Sequence, residues 1–190
     1  MKRVKKGKEP ASLLTYRKQP QASYEDYRER DDLRESLLEE QGYICCYCMQ
    51  RINKENLKIE HWKPQSKYPE LQLISHNLLA ACDGNEGSSP KFQHCDTHKG
   101  DDEITLNPAD SQKNCEQYIK YSSDGRIDSD DPIINYELNE ILNLNTQTLV
   151  SNRNKKIQAY EGKENGKYKP YCKMIVYFLR KRFAKELGNS

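Results

Sequence analysis

With 190 residues and a mean hydropathy of -1.06, the chain has the length of one domain, or of one small domain with helices appended, around a modest core. A net charge of +2, from 31 Lys and Arg against 29 Asp and Glu, does not by itself announce nucleic-acid binding, and the acid lies in the middle. No apolar run reaches the roughly 18 residues of a membrane span, and the basic start lacks the apolar stretch of a secretory signal, so the sequence reads as cytoplasmic with no membrane partner.

Residues 1–22 combine cations (Lys2, Arg3, Lys5, Lys6, Lys8) with Pro10 and Pro20 and hold no period. They read either as an arm that lies on something else or as a loose tail. From Ser23, a suitable N-cap, Tyr24, Tyr27, Leu33, Leu37 and Leu38 follow helical spacing up to Gly42, a suitable C-cap. Residues 43–52 read as a short strand into a knuckle turn and out again, and Lys58 to Trp62 as a second strand. After a loop with Pro64 and Pro69, residues 75–82 are expected to open a helix, and residues 83–94, rich in Gly, Ser and Asn, to form a loop.

Residues 118–127 read as a hairpin turning at Asp124-Gly125. Helices are expected from Asp131-Pro132, from Asn145-Thr146 through Leu149, Val150, Ile157 and Tyr160, and from Pro170. In the last, Tyr171, Met174, Ile175, Phe178, Leu179 and Phe183 line one face, Gly188 ends the run, and Lys173, Arg180, Lys181, Arg182 and Lys185 make it basic. That apolar stripe reads as core or as a partner-facing surface.

Seven cysteines are an odd number, and in a reducing compartment clustered cysteines read as metal ligands rather than disulfides. Cys45, Cys48, Cys82 and Cys95 can clamp a structural Zn²⁺ from two knuckles, which would help a chain of modest core to fold. Two alternatives stay open: Cys46 in place of Cys45, and His94 or His98 in place of one thiolate, because the second knuckle is unusually long. Cys46, Cys115 and Cys172 otherwise read as free thiols or core fillers.

Between the cysteines lie groups able to hydrolyse a phosphodiester. That reaction needs a base to activate water, a hard cation such as Mg²⁺ or Mn²⁺ to neutralise charge on the phosphate, and a group that orients the base. His61 can serve as base, Glu60 can point to the other side of the strand toward the cation, and Asn77 can orient the His61 ring through its amide oxygen. Asp96 or His98 can give the cation a further ligand, and Lys99 can contact phosphate. Taken singly these are weak signals, since an Asn is most often a helix cap and a Trp such as Trp62 most often a core residue. Their order between two halves of a cysteine set is what points to a site.

Together, Cys45-x-x-Cys48, Glu60-His61-Trp62, Asn77-Leu78-Leu79 and Cys82 to Cys95-Asp96-Thr97-His98-Lys99-Gly100 resemble the HNH (ββα-metal) endonuclease superfamily. Residues 5–10, 40–49, 95–108 and 142–145 extend the resemblance to the PtuB family, the HNH effectors of Septu-type and certain retron anti-phage systems. The resemblance implies an α+β fold: a zinc-stapled ββα-metal core at 23–108, a basic partner-docking arm at 1–22, and a hairpin with C-terminal helices at 109–190. It implies His61 as general base, Glu60 and Asn77 as the accompanying motif residues, and the cysteines as zinc ligands. It further implies a nucleic-acid substrate, DNA ahead of RNA or tRNA, and a PtuA-like ATPase of the ABC/SMC type as partner. In retron versions a reverse transcriptase and its RNA–DNA product join the complex. The third motif position departs from the family pattern: Asp96 follows Cys95 and His98 comes two later, leaving both as candidates for the cation.

Two other readings use the same residues. One is a zinc-stabilised nucleic-acid-binding module without catalysis, its basic ends on phosphate. The other is an assembly partner in which the nuclease motif is vestigial.

Overall fold

The helix expected between Ser23 and Gly42 forms only in the second half of that stretch. Ser23 instead starts a turn, its hydroxyl donating to Asp26 at 2.8 Å, and α2 spans Arg30–Gln41, after the short α1 (Ala11–Tyr16). Leu33, Leu37 and Leu38 make the buried stripe of α2, Asp31 and Asp32 sit at its electropositive end, and Gly42 stops it at φ 63°. The structure, a computed structural model, describes residues 1–158, 171 and 174–177.

The chain then enters the knuckle. Ile44 and Arg51 form a single antiparallel bridge, Cys45 N–H donates to the Gln50 carbonyl at 2.9 Å, and Met49, at φ 63°, closes the turn onto the Cys45 carbonyl at 3.1 Å. β1 (Leu57–His61) follows as expected. The helix expected over 75–82 is corrected: Ser75–Asn77 makes one 3₁₀ turn, and Leu78–Cys82 is strand β2, antiparallel to β1 with Leu57 opposite Cys82 and His61 opposite Leu78. All five β2 side chains are buried, and α2 packs against the strand. A strand covered on both faces shows no alternation, so its short apolar run reads equally well as helix. The loop 83–94 leads into α3 (Cys95–Lys99), which also packs on β2. The order strand, strand, helix is therefore β1–β2–α3, in a mixed α and β fold.

Residues 1–22 lie on the body of the chain, which overturns the loose-tail alternative. Met1, Val4 and Leu13 are buried, Val4 N–H donates to the Pro108 carbonyl at 2.8 Å, and Lys6 pairs with Glu40 at 2.7 Å.

The second half closes the core. β3 (Lys120–Tyr121) and β4 (Ile127–Asp128) form the expected hairpin, short because Gly125, at φ 94°, lies where a Cβ would come within 2.5 Å of the Val150 carbonyl. Asp131 caps α4 (Pro132–Tyr136) through the Ile133 and Ile134 N–H groups. A π turn, Glu137–Ile141, then aims the Glu137 carboxylate at the Thr105 N–H and hydroxyl. α5 (Gln147–Gln158) carries Arg153, 1% exposed, whose guanidinium donates to the carbonyls of Gly125 and Leu144 and to the Asn145 amide oxygen. Tyr171, Met174 and Ile175 of the expected last stripe are buried. Tyr160, Cys172, Phe178, Leu179, Phe183, Gly188 and the C-terminal cations lie outside the described residues. No helix among the described residues is long and apolar enough to cross a membrane.

Candidate functional site

The four cysteines meet. Cys45, Cys48, Cys82 and Cys95 are buried, with their sulfurs within 4.8 Å of one another; Cys45 and Cys95 are 3.8 Å apart, Cys48 and Cys82 3.7 Å. Zn–S bonds of about 2.3 Å at the tetrahedral angle separate sulfurs by about 3.8 Å, so the group has the dimensions of a zinc tetrathiolate. Burial acts to raise the Cys45 thiol, and hydrogen bonds from Cys46, Cys48, Cys82 and Cys95 more than reverse this, holding Cys45 well below the ordinary thiol range. The thiolate is the metal ligand, so a divalent cation bound here would release the protons that the remaining thiols carry.

The alternatives open in the sequence lie outside this group of four. Cys46 is not one of the four grouped sulfurs: burial and its hydrogen bond to Cys45 push its thiol well up, and its N–H donates to the Ala80 carbonyl at 3.0 Å. His94 Nδ1 lies 3.2 Å from Cys95 Sγ and 3.8 Å from Cys82 Sγ, a neighbour that hydrogen-bonds sulfur. His98 Nδ1 donates to the Ile141 carbonyl at 2.9 Å. Cys95 occupies the left-handed region at φ 57°, a cost of about 1–3 kcal/mol that persists only where surroundings fix it. Gly84 closes the loop behind it: at φ 59°, a Cβ there would lie 2.1 Å from the His94 carbonyl.

His61 ends β1, 8% exposed, with its ring edge-on to Tyr24 at 4.6 Å between centroids. His61 Nε2 lies 3.0 Å from the Gln72 carbonyl. A carbonyl only accepts, so the neutral ring carries its proton on Nε2 and its lone pair on Nδ1. Burial lowers the His61 value, against the Gln72 bond and the Asp96 charge, which raise it. The ring is thus held neutral with one nitrogen able to take a proton.

Asn77 does not orient that ring, correcting the expected contact. Its Oδ1 accepts from Lys63 N–H at 2.7 Å, and its Nδ2 donates to the carbonyls of Lys63 at 3.0 Å and Leu71 at 3.2 Å. Its backbone carbonyl accepts from Trp62 N–H at 2.9 Å. Asn77 therefore pins both ends of the loop between β1 and β2, the loop that carries the Gln72 carbonyl. Its influence on His61 passes through the backbone.

Glu60 is 1% exposed, on the other side of β1 as expected from strand alternation. Tyr47 donates to its Oε1 at 2.6 Å and the Lys99 ammonium lies 3.0 Å from the same oxygen. Burial, followed by the hydrogen bond and charge of Asp96, pushes Glu60 well above the carboxylate range, with Lys99 and Tyr47 pulling the other way. Lys99, 2% exposed, also donates to the His61 carbonyl at 3.2 Å. A buried cation with its hydrogens so engaged does not reach a phosphate, which corrects the role expected of it. Glu60, Asp96 and His98 likewise do not converge into a cation site; among the described residues the cysteines are the one such group of three or more. The residues that the sequence did not flag are Tyr47, hidden inside the knuckle, and Gln72, which acts through its backbone and leaves no side-chain signature.

No protein-family model matches the chain. An Escherichia coli protein named for the HNH endonuclease of retron Ec83 is 28% identical over 131 residues, 58% of this chain and 51% of that protein. The Septu protein PtuB of Bacillus thuringiensis is 30% identical over 94 residues, 48% of this chain and 34% of that protein. The chain is a relative of both. The resemblance to HNH and PtuB proteins drawn from its motifs accordingly stands. The chain spans about half the length of the first relative and about a third of the second.

Proposed function

We propose that the protein is an HNH-type endonuclease that hydrolyses phosphodiester bonds, with His61 as general base. The observation that carries this reading is the His61 ring held neutral at the end of β1, its Nε2 proton given to the Gln72 carbonyl and Nδ1 left to accept one from water. The cysteine group is read as a structural Zn²⁺ site: when bound, the ion would tie the knuckle to the end of β2 and the start of α3. Mg²⁺ or Mn²⁺ is the catalytic cation expected of such an enzyme, supplying charge neutralisation at the phosphate. The ligands expected for it do not converge; Asp96, with one fifth of its side chain exposed, is the carboxylate nearest that role. The names of the two relatives support a nuclease in anti-phage defence; a PtuA-like ATPase and, in a retron setting, a reverse transcriptase with its RNA–DNA product are the partners that the motif resemblance implies. DNA is the favoured substrate, ahead of RNA.

The test is nicking of supercoiled plasmid and of a labelled RNA by the parent and by His61→Ala, with Mg²⁺, Mn²⁺ or EDTA. Cleavage lost in His61→Ala at unchanged zinc content supports the reading. Equal cleavage by both proteins refutes His61 as base, and nucleic-acid binding with no cleavage, in the presence of the partner ATPase, leaves the non-catalytic binding module.

A further inference from the structure

One groove has no lining from His61. It encloses about 810 Å³ between the N-terminal arm and residues 109–116, and it is lined by Lys2, Arg3, Lys5, Lys6, His76 and Glu116 among others. With Lys6 paired to Glu40, three cations, Lys2, Arg3 and Lys5, stand against the one carboxylate of the lining, Glu116, in a chain whose net charge is only +2. The cations are also held in place. Val4 is buried between them and its N–H is fixed to the Pro108 carbonyl at 2.8 Å. Arg3 donates from its guanidinium to the Ser111 carbonyl at 2.6 Å and from its backbone to Glu116 at 2.9 Å. Lys6 reaches both Glu40 and the Leu78 carbonyl. Arg3, Lys5 and His76 are exposed.

The groove starts at the turn that supports the candidate site. His76 immediately precedes Asn77, and the Lys6 contact at Leu78 immediately follows it, so the groove wall and the loop clamp share one stretch of backbone. No Phe, Tyr or Trp lines it among the described residues. Base stacking needs such platforms, whereas phosphate contacts need only cations and backbone donors.

We propose that this groove is a track for the phosphate backbone of a nucleic acid, gripping it without reading sequence and leading it toward the turn at Ser75–Asn77. The choice of nucleic acid as occupant rests on the nuclease reading. An acidic protein surface is the competing occupant; against it, the groove offers no aromatic anchor of the kind that carries protein contacts, while Arg3 and Lys5 stand exposed on its wall.

The test uses the full chain carrying His61→Ala, so that nothing is cut, and a fluorescent 20-base-pair duplex of random sequence read by anisotropy across a salt series. Each phosphate contact contributes about 0.9 to the slope of log affinity against log salt. Lys2→Gln, Arg3→Gln and Lys5→Gln together are expected to weaken binding by at least about tenfold and to flatten the slope by about 2 to 3, equally for unrelated sequences. The three side chains contribute nothing to the buried core, and a melting curve matching that of the parent verifies the fold. Unchanged affinity and slope would overturn the proposal, as would displacement of the duplex by poly-glutamate at equal charge concentration, or no duplex binding by the parent. Plasmid cleavage by the otherwise unaltered protein is scored separately: binding that depends on the groove, with no cleavage under any condition, would leave the track standing and remove the nuclease.

Discussion

Replacing Lys99 with Met separates a buried charge network from a decorative one. Both partners of the Lys99–Glu60 contact have side chains 1% exposed, so solvent screening offers no discount. Removing one partner of such a pair costs about 3–5 kcal/mol, because the other charge stays buried and uncompensated. The burial that raises Glu60 lets its carboxylate take up a proton once the ammonium is gone, which softens the loss and places the expectation near the lower end, about 3 kcal/mol. At about 2–4 °C per kcal/mol for a chain of this size, Tm should fall by about 6–12 °C. Lys120→Met is the internal control: its partner Asp130 is 79% exposed, and Tm should move by less than about 4 °C. In the double variant Glu60→Gln with Lys99→Met the stranded charge is gone, so the pair should show a coupling of at least about 2 kcal/mol in a thermodynamic cycle. The assay is calorimetric melting at fixed zinc. A Lys99→Met protein that melts within about 2 °C of the parent would refute the network as a stabilising unit.

Other outcomes follow from the same geometry. Cys95→Ser should lose metal, counted by mass spectrometry, together with folding stability, since zinc binding in small sites contributes on the order of 10 kcal/mol; a variant that keeps both its zinc and its Tm removes Cys95 from the ligand set. The acid limb of the cleavage rate should lie below 6.5, because burial lowers His61 and leaves it neutral at pH values where a free histidine is protonated. The stability linked to His61 should be complete above 6.5 and be lost as pH falls toward and through its depressed folded value. A limb at or above 6.5 contradicts this. Gly84→Ala should cost more than about 2 kcal/mol, its Cβ being placed against the His94 carbonyl, whereas Gly87→Ala, with nothing within 4 Å, carries only the strain of its φ. Equal melting of the two would show that the loop gives way.

The sequence made the cysteine group legible and the surroundings of His61 less so. Cysteines announce themselves by residue type and spacing, and Cys45, Cys48, Cys82 and Cys95 meet as read. Gly42, Asp131 and Asp124-Gly125 were equally readable, because caps and turns are local chemistry. Leu78–Cys82 was not: a strand covered on both sides has no alternation to reveal it, and the helical reading was as good until β1 was placed beside it. Lys99 was misread for another reason. Its position four residues after Cys95 is plain, but whether a lysine meets phosphate or carboxylate depends on which face of a one-turn helix the cysteine group turns inward. Asn77 was recognised as important and given the wrong target, since its partners are backbone groups of Lys63 and Leu71 that no motif encodes.

α3 is five residues long, too short to persist as a helix by itself. It is gripped at its first residue by the thiol group and at its last by Glu60 and the His61 carbonyl. Such an element behaves as a rivet, with no stable position between fully seated and absent. Amide protons of β1 and α3 should therefore exchange as one event, and stripping the metal should raise both rates together. For anyone transplanting this centre, the smallest portable piece is the whole block of knuckle, both strands and rivet, because a graft that leaves out the sulfurs also leaves the histidine without its footing.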